Sequence, residues 1–330
     1  MKKINLLLIS CAIVAWIVLF FILNISYPSL VKMSTGASLD TDGFLGENIV
    51  YDEVTLSYWW IFSDRTDHTI KLARSSDLVT WETDQTFETE SFSDSACIRR
   101  FGDFWYILYG KQFDDKLNRT NLWMIKSTII NSGYSDPELI LKVGDKITDW
   151  DYRRVTEPDI VFKDGLYYLF YMGESEDKYE KIGYAVSPSI DGPFIKYDNN
   201  PVLSGTAYFS WNSGKDKAAD PYVERLGDVF VIQHTACSVG KREWNIGLAI
   251  TKDFVNFYCP NYPVLVADQN NQWFSEGVSR GGLILIGDKW KISYAGYNLD
   301  CHYGGRSGIS EIDLKNIVDK MQEDMKRTRE

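Results

Sequence analysis

Histidine and cysteine are scarce in this chain, three and five among 330 residues, and no CxxC or HxxxH spacing occurs. Those spacings build zinc sites, so their absence argues against a zinc-based function. Positive charge is also short. Thirty-five basic residues against 46 acidic give a net charge of −11; without Lys2 and Lys3 the remainder stands at −13, 33 against 46. Such a field argues against nucleic acid or an anionic lipid surface as a partner, although plain solubility explains it equally. Cys97, Cys237, Cys259 and Cys301, the cysteines beyond Cys11, are either buried thiols in strands or paired in one of three ways.

One long apolar run is present, Ile4 to Ile25, broken only by Asn5, Ser10 and Asn24. At about 1.5 Å per residue it reaches roughly 33 Å, enough for a hydrocarbon core of about 30 Å. It exits through Asn24-Ile-Ser-Tyr-Pro28 without the small-x-small pattern of a cleaved signal. Residues 1–25 therefore read as a membrane anchor, with a signal peptide and a secreted product as the alternative. Lys2 and Lys3 precede the run and only Lys32 closely follows it, which places the large domain outside the cytoplasm, periplasmic or extracellular. Residues 26–45, rich in Pro, Ser, Thr and Gly, read as a stalk.

The rest is organised by a repeat. In Thr156-Glu-Pro-Asp-Ile-Val-Phe-Lys-Asp-Gly-Leu-Tyr-Tyr-Leu-Phe-Tyr171 an acid–proline pair leads into an apolar strand, an Asp-Gly turn and an aromatic strand. Asp-Gly between such runs predicts a type I′ hairpin. Similar hairpins follow Glu47, Asp94, Asp220 and Glu276, and each is trailed by a third strand. The leading acids at 47, 94, 157, 220 and 276 stand 47, 63, 63 and 56 residues apart. Periods of that size, with about four strands each, predict propeller blades. The expected fold is all-β, a five-bladed β-propeller over 46–314. A C-terminal helix and tail, 315–330, are expected from the spacing of Leu314, Ile317, Val318 and Met321.

In a propeller the first strand of each blade lines the central channel, so the five leading acids should converge at its mouth. Like charges brought together split carboxyl pKa values, leaving one acid and one base, the requirement of glycosidic bond cleavage. The bland alternative is that such acids cap turns. Glu157 and Asp220 are the expected catalytic pair, because a following proline fixes the backbone and aims the side chain. Asp94 is the expected orienter, and Glu276 the next candidate. Basic residues gather nearby: Arg153, Arg154, Lys217, Arg280, His302 and Arg306. They either bind a carboxylate or phosphate group or neutralise the acids. The chain carries 48 aromatics (Trp 11, Tyr 20, Phe 17); Trp150, Trp211 and Trp273 precede innermost strands and either line a pocket or cap a blade.

These features resemble the five-bladed propeller glycosidases: the arabinanases and xylosidases of family 43, the fructosidases of family 32 and the mannoside phosphorylases of family 130. The likeness rests on Glu157-Pro158, Asp220-Pro221, the Gly-containing hairpins and the Ser75-x-Asp77-Leu78-x-x-Trp81 turn. It implies a glycoside hydrolase, or a phosphorylase, acting on a carbohydrate substrate without a cofactor, with room for a structural calcium ion in the channel. The first-blade Asp-Pro that supplies the family 43 base is replaced by Glu47-Asn48. The competing expectation is therefore a non-catalytic glycan-binding propeller, an accessory of polysaccharide or cell-envelope assembly.

Overall fold

The computed structural model describes residues 44–327 apart from 65–67, 89–92, 205–216, 238–243, 261, 269–273 and 298–305. The expected anchor and most of the stalk lie outside the described residues, among which no helix is long and apolar enough to cross a membrane.

The described strands fall into five antiparallel units. The first contains β1 (Phe44–Asp52), β2 (Ser57–Asp64), β3 (Thr69–Ser75) and β4 (Glu82–Glu88). The second contains β5 (Ser93–Phe101), β6 (Phe104–Asp114), β7 (Arg119–Ser127) and β8 (Glu138–Leu141). The third contains β9 (Arg154–Lys163), β10 (Leu166–Glu174), β11 (Glu180–Ser187) and the short β12 (Ile195–Lys196). The fourth runs from β13 (Lys217–Leu226) through β14 (Val229–Cys237) and β15 (Trp244–Thr251) to β16 (Phe257–Tyr258). In the fifth, β17 (Gly277–Ser279) and β18 (Leu283–Ile286) both pair with β19 (Lys289–Tyr297), which pairs with β20 (Arg306–Ile312).

The first strands stand next to one another. β1 packs against β5, β5 against β9 and β9 against β13. The Tyr222 hydroxyl of β13 donates to the Leu283 carbonyl of β18 at 2.9 Å, and β18 and β19 return to β1. Curled sheets in this circuit are consistent with a propeller. Two devices tie neighbours near the centre. Asn48 imitates a peptide group: its amide donates to the Ile98 carbonyl at 2.8 Å and accepts the Ile98 N–H at 3.0 Å. Arg99 reaches from β5 to both Asp159 oxygens, to Glu224 and to the Val223 carbonyl, at 2.7 to 3.1 Å.

Local chemistry explains the turns. Asp164 and Gly165 both have positive φ, 51° and 84°, as the type I′ hairpin requires. The Ser75–Trp81 turn is a hydroxyl–carboxylate cage: Asp77 Oδ1 accepts the Val79 and Thr80 amides and Ser75 Oγ accepts that of Leu78. Its counterpart in the fourth unit is built on Thr251 and Asp253, and buries Phe254 completely. Partial burial pushes the Asp253 carboxyl up, but the Asn256 and Val255 amides outweigh it and hold it down at about 2. A depressed carboxyl supports folding above its unfolded value, near 3.9, and stops doing so as the pH falls through its folded one. The melting temperature of Asp253→Ala should therefore trail the parent's at pH 6, and the gap should narrow toward pH 2.5. A gap independent of pH would contradict this reading.

The core lies between adjacent sheets; the cluster shared by the fourth and fifth units includes Tyr222, Ile246, Phe274 and Tyr294. The terminal helix α1 (Leu314–Arg327) closes that cluster from outside. Leu314, Ile317, Val318 and Met321 are its buried residues, the four picked out by helical spacing. Cys97 and Cys259 are free thiols; Cys301 lies outside the described residues.

Candidate active site

Each innermost strand carries an irregularity near its start. The pairing register shifts between Gly46 and Ile49, Asp94 and Ala96, Thr156 and Asp159, and Ala219 and Tyr222. In the fifth unit the strand breaks outright between Ser279 and Leu283. Four residues at these bulges hold a left-handed backbone: Ser95 (φ 60°), Glu157 (53°), Asp220 (52°) and Arg280 (57°). A non-glycine residue there costs about 1 kcal/mol or more, so four in one ring mark a strained centre. The bulge turns the side chain out of the sheet's alternation and toward the middle.

Three carboxylates and one guanidinium meet at that centre. Arg280 is 4% exposed; its Nη1 hydrogen-bonds Glu47 Oε1, its Nη2 lies 3.8 Å from Glu157 Oε1 and its Nε 3.7 Å from Asp220 Oδ1. Glu157 Oε2 also accepts the backbone N–H of Asp220 at 2.8 Å, which fixes the two neighbours to one another. Asp220 Oδ1 is buried and accepts no hydrogen bond. The backbone beneath is held firmly. The Glu47 carbonyl accepts from Trp60 Nε1 (3.1 Å) and Ser293 Oγ (3.0 Å). The Arg280 N–H donates to Thr235 Oγ1 at 3.0 Å, and the Arg280 carbonyl accepts from Gln233 at 2.9 Å. Gly281 permits the turn, since a Cβ there would lie 1.9 Å from the Ser293 carbonyl oxygen. The cavity among Glu47, Ser95, Glu157 and Asp220 measures about 10 Å³, room for about one water.

Of the expected residues, the structure brings together Glu47, the leading acid of the first unit, Glu157, Asp220 and Arg280. Asp94 belongs to β5, but Ser95 takes the bulged position; the Asp94 side chain lies outside the described residues. Glu276 is half-buried ahead of β17, four residues before the bulged Arg280. Arg153 and Arg154 pair with Glu174, at 3.1 and 3.6 Å, and Lys217 with Glu180 at 2.8 Å, three positively charged residues matched by acids near the ends of β9, β10, β11 and β13. Trp150 is stacked on Tyr171 in the third unit. Trp211, Trp273 and His302, and the side chain of Arg306, lie outside the described residues. His234 is buried and neutral, desolvation pushing its pKa down to about 4.

No group of three or more His, Cys, Asp or Glu among the described residues could hold a metal ion, and each place where inner-strand carboxylates converge already contains a guanidinium. Arg280 occupies one and Arg99, between Asp159 and Glu224, the other.

No protein-family model matches the chain, and no curated protein matches it. Solved structures do. An exo-1,5-α-L-arabinanase from a bovine ruminal metagenomic library superposes with a TM-score of 0.62 at 11% identity, over 85% of this chain and 95% of that one. An α-L-arabinofuranosidase from Lactobacillus brevis gives 0.63 at 10%, over 85% and 92%. A thermostable family-43 glycoside hydrolase gives 0.63 at 12%, again over 85% and 92%. The fold is that of the arabinanase- and xylosidase-like glycoside hydrolases. Within it, this chain is similar to enzymes whose names specify arabinan and arabinofuranoside substrates.

Proposed function

We propose that this chain is a glycoside hydrolase of closed five-bladed propeller form, cleaving an oligo- or polysaccharide at the ring of Glu47, Glu157, Asp220 and Arg280. The observation that carries the reading is Asp220: a buried carboxylate oxygen without a hydrogen bond, beside two further carboxylates, on strained backbone. An unsatisfied buried acceptor is costly to keep, and a proton or a sugar hydroxyl would satisfy it. Asp220 is the general acid. Glu157 and Asp220 remain the essential pair, but Glu157 grips the Asp220 amide and so stands beside that acid rather than across a sugar ring from it. It orients Asp220. Glu47, on another side of the guanidinium, is the carboxylate placed to activate water. Arg280 offsets the mutual repulsion of the three and leaves an excess of negative charge, suited to an oxocarbenium-like transition state.

The test compares the parent with Asp220→Asn on a panel of polysaccharides and nitrophenyl glycosides. The parent should release reducing sugar or nitrophenol from at least one member, and Asp220→Asn should not. A non-catalytic glycan-binding module is the second reading, favoured by the small volume of the described cavity; it expects release from none.

The enzyme is further proposed to be held at a membrane by residues 4–25, with its propeller outside the cytoplasm; the apolar span without a cleavage pattern supports this. Protease treatment of intact cells or spheroplasts should digest the propeller. A soluble mature form beginning near Tyr27 would instead identify the span as a signal peptide.

A further inference from the structure

We propose that the groove between the second and third units is a second, non-catalytic saccharide-binding site with the Trp150 indole as its platform. The groove measures about 660 Å³ and runs between β8 with the chain following it and β12 with the turn before it. That volume lies within the range of about 300–1,000 Å³ usual for ligand pockets. None of its lining residues borders the carboxylate ring, so the site stands apart from the proposed chemistry.

Trp150 is set in place before any ligand arrives. It stacks on Tyr171 with ring centroids 5.4 Å apart and planes 27° from parallel. Gly173 and Gly183 make the seat, since a Cβ at either would lie 2.4 or 2.7 Å from indole carbons. The Tyr171 hydroxyl donates to Asp151 at 3.1 Å, and Lys196 Nζ meets the same Asp151 oxygen at 2.6 Å. A half-buried indole fixed in this way loses little freedom on binding, which is the advantage of a preorganised platform. The groove floor is the apolar core shared by the two units, Ile140, Leu141 and Phe194 among it.

The polar groups choose the class of ligand. Five aspartates and two lysines line the groove, so an anion is repelled. No cluster among the described residues could hold a metal ion. An organic cation would meet the Lys196 ammonium at the most deeply buried carboxylate, Asp151, whose side chain is 3% exposed. A neutral sugar meets neither obstacle. Its apolar ring face covers the indole, its hydroxyls donate to the exposed Asp145 and Asp198 carboxylates, and they accept from Lys196.

The experiment is native electrophoresis of the full chain through gels containing arabinan, galactan or β-1,4-mannan, with polygalacturonate and choline chloride as charged comparators. At least one neutral polymer should retard the parent, and Trp150→Ala should weaken that retardation at least tenfold. The Asp145→Ala/Asp198→Ala double variant, confined to the exposed rim, should weaken it too and keeps the test open if Trp150→Ala does not fold. The proposal is overturned if no neutral polymer retards the parent, or if the folded variants at Trp150 and the rim migrate as the parent. Binding of choline or polygalacturonate alone overturns it equally.

Discussion

Arg280→Met should lower stability at neutral pH by about 3–5 kcal/mol, the usual cost of leaving buried charges without their partner. The backbone at this position is anchored by Thr235 and Gln233, so the substitution removes charge and leaves the loop's supports. The φ of 57° strains Met as much as Arg, and that cost cancels in the comparison. What remains is electrostatic: Glu47, Glu157 and Asp220 would face one another in a nearly dry site. In the variant, such carboxylates bind protons more tightly folded than unfolded, so stability is gained as the pH falls. The deficit against the parent should be largest at pH 7.5 and should shrink by pH 4.5, read from urea or thermal melts. Equal deficits at both pH values, or a deficit below about 1 kcal/mol, would show that Arg280 does not neutralise the ring.

Asp220→Asn should behave in the opposite way, losing activity while keeping stability. Asp220 Oδ1 accepts no hydrogen bond, and asparagine tolerates the left-handed backbone at φ 52° as readily as aspartate. Folding therefore loses little. Turnover should fall by at least about two orders of magnitude, the low end of what general acid–base catalysis contributes. Glu157→Gln should produce a comparable fall through mispositioning, since the backbone N–H of Asp220 donates to this side chain. Stability that falls in step with activity in both variants would assign the two carboxylates to folding instead.

Much of this arrangement was legible in the chain. Hairpin turns announce themselves through Asp164-Gly165, whose two positive φ values few other residue pairs adopt. The terminal helix follows from four apolar residues at helical spacing. Glu157 and Asp220 were visible through their prolines, and the first-blade Glu47 as a leading acid. The roles were less visible, because a bulge inserts one residue into a strand and linear spacing does not reveal where. Counting acids therefore pointed to Asp94 and Glu276, whereas Ser95 and Arg280 take the bulges. Arg280-Gly281-Gly282 held a usable signal: consecutive glycines just ahead of the apolar run Leu283-Ile-Leu-Ile286 mark a strand that must break. Trp150 shows the other limit. Its seat on Gly173 and Gly183 and its stacking on Tyr171 depend on residues more than twenty positions away, and no local pattern carries that information. The pairing of Arg153 and Arg154 with Glu174, and of Lys217 with Glu180, likewise arises between strand ends that only the folded chain brings together.

The most direct test is a reducing-end assay of the parent and Asp220→Asn, side by side, on arabinan, xylan and mannan and the matching nitrophenyl glycosides, with melting temperatures taken on the same samples. The account predicts release by the parent from at least one substrate, a rate at least about a hundredfold lower for Asp220→Asn, and matching melting temperatures. Release by neither protein, or equal release by both, would contradict it.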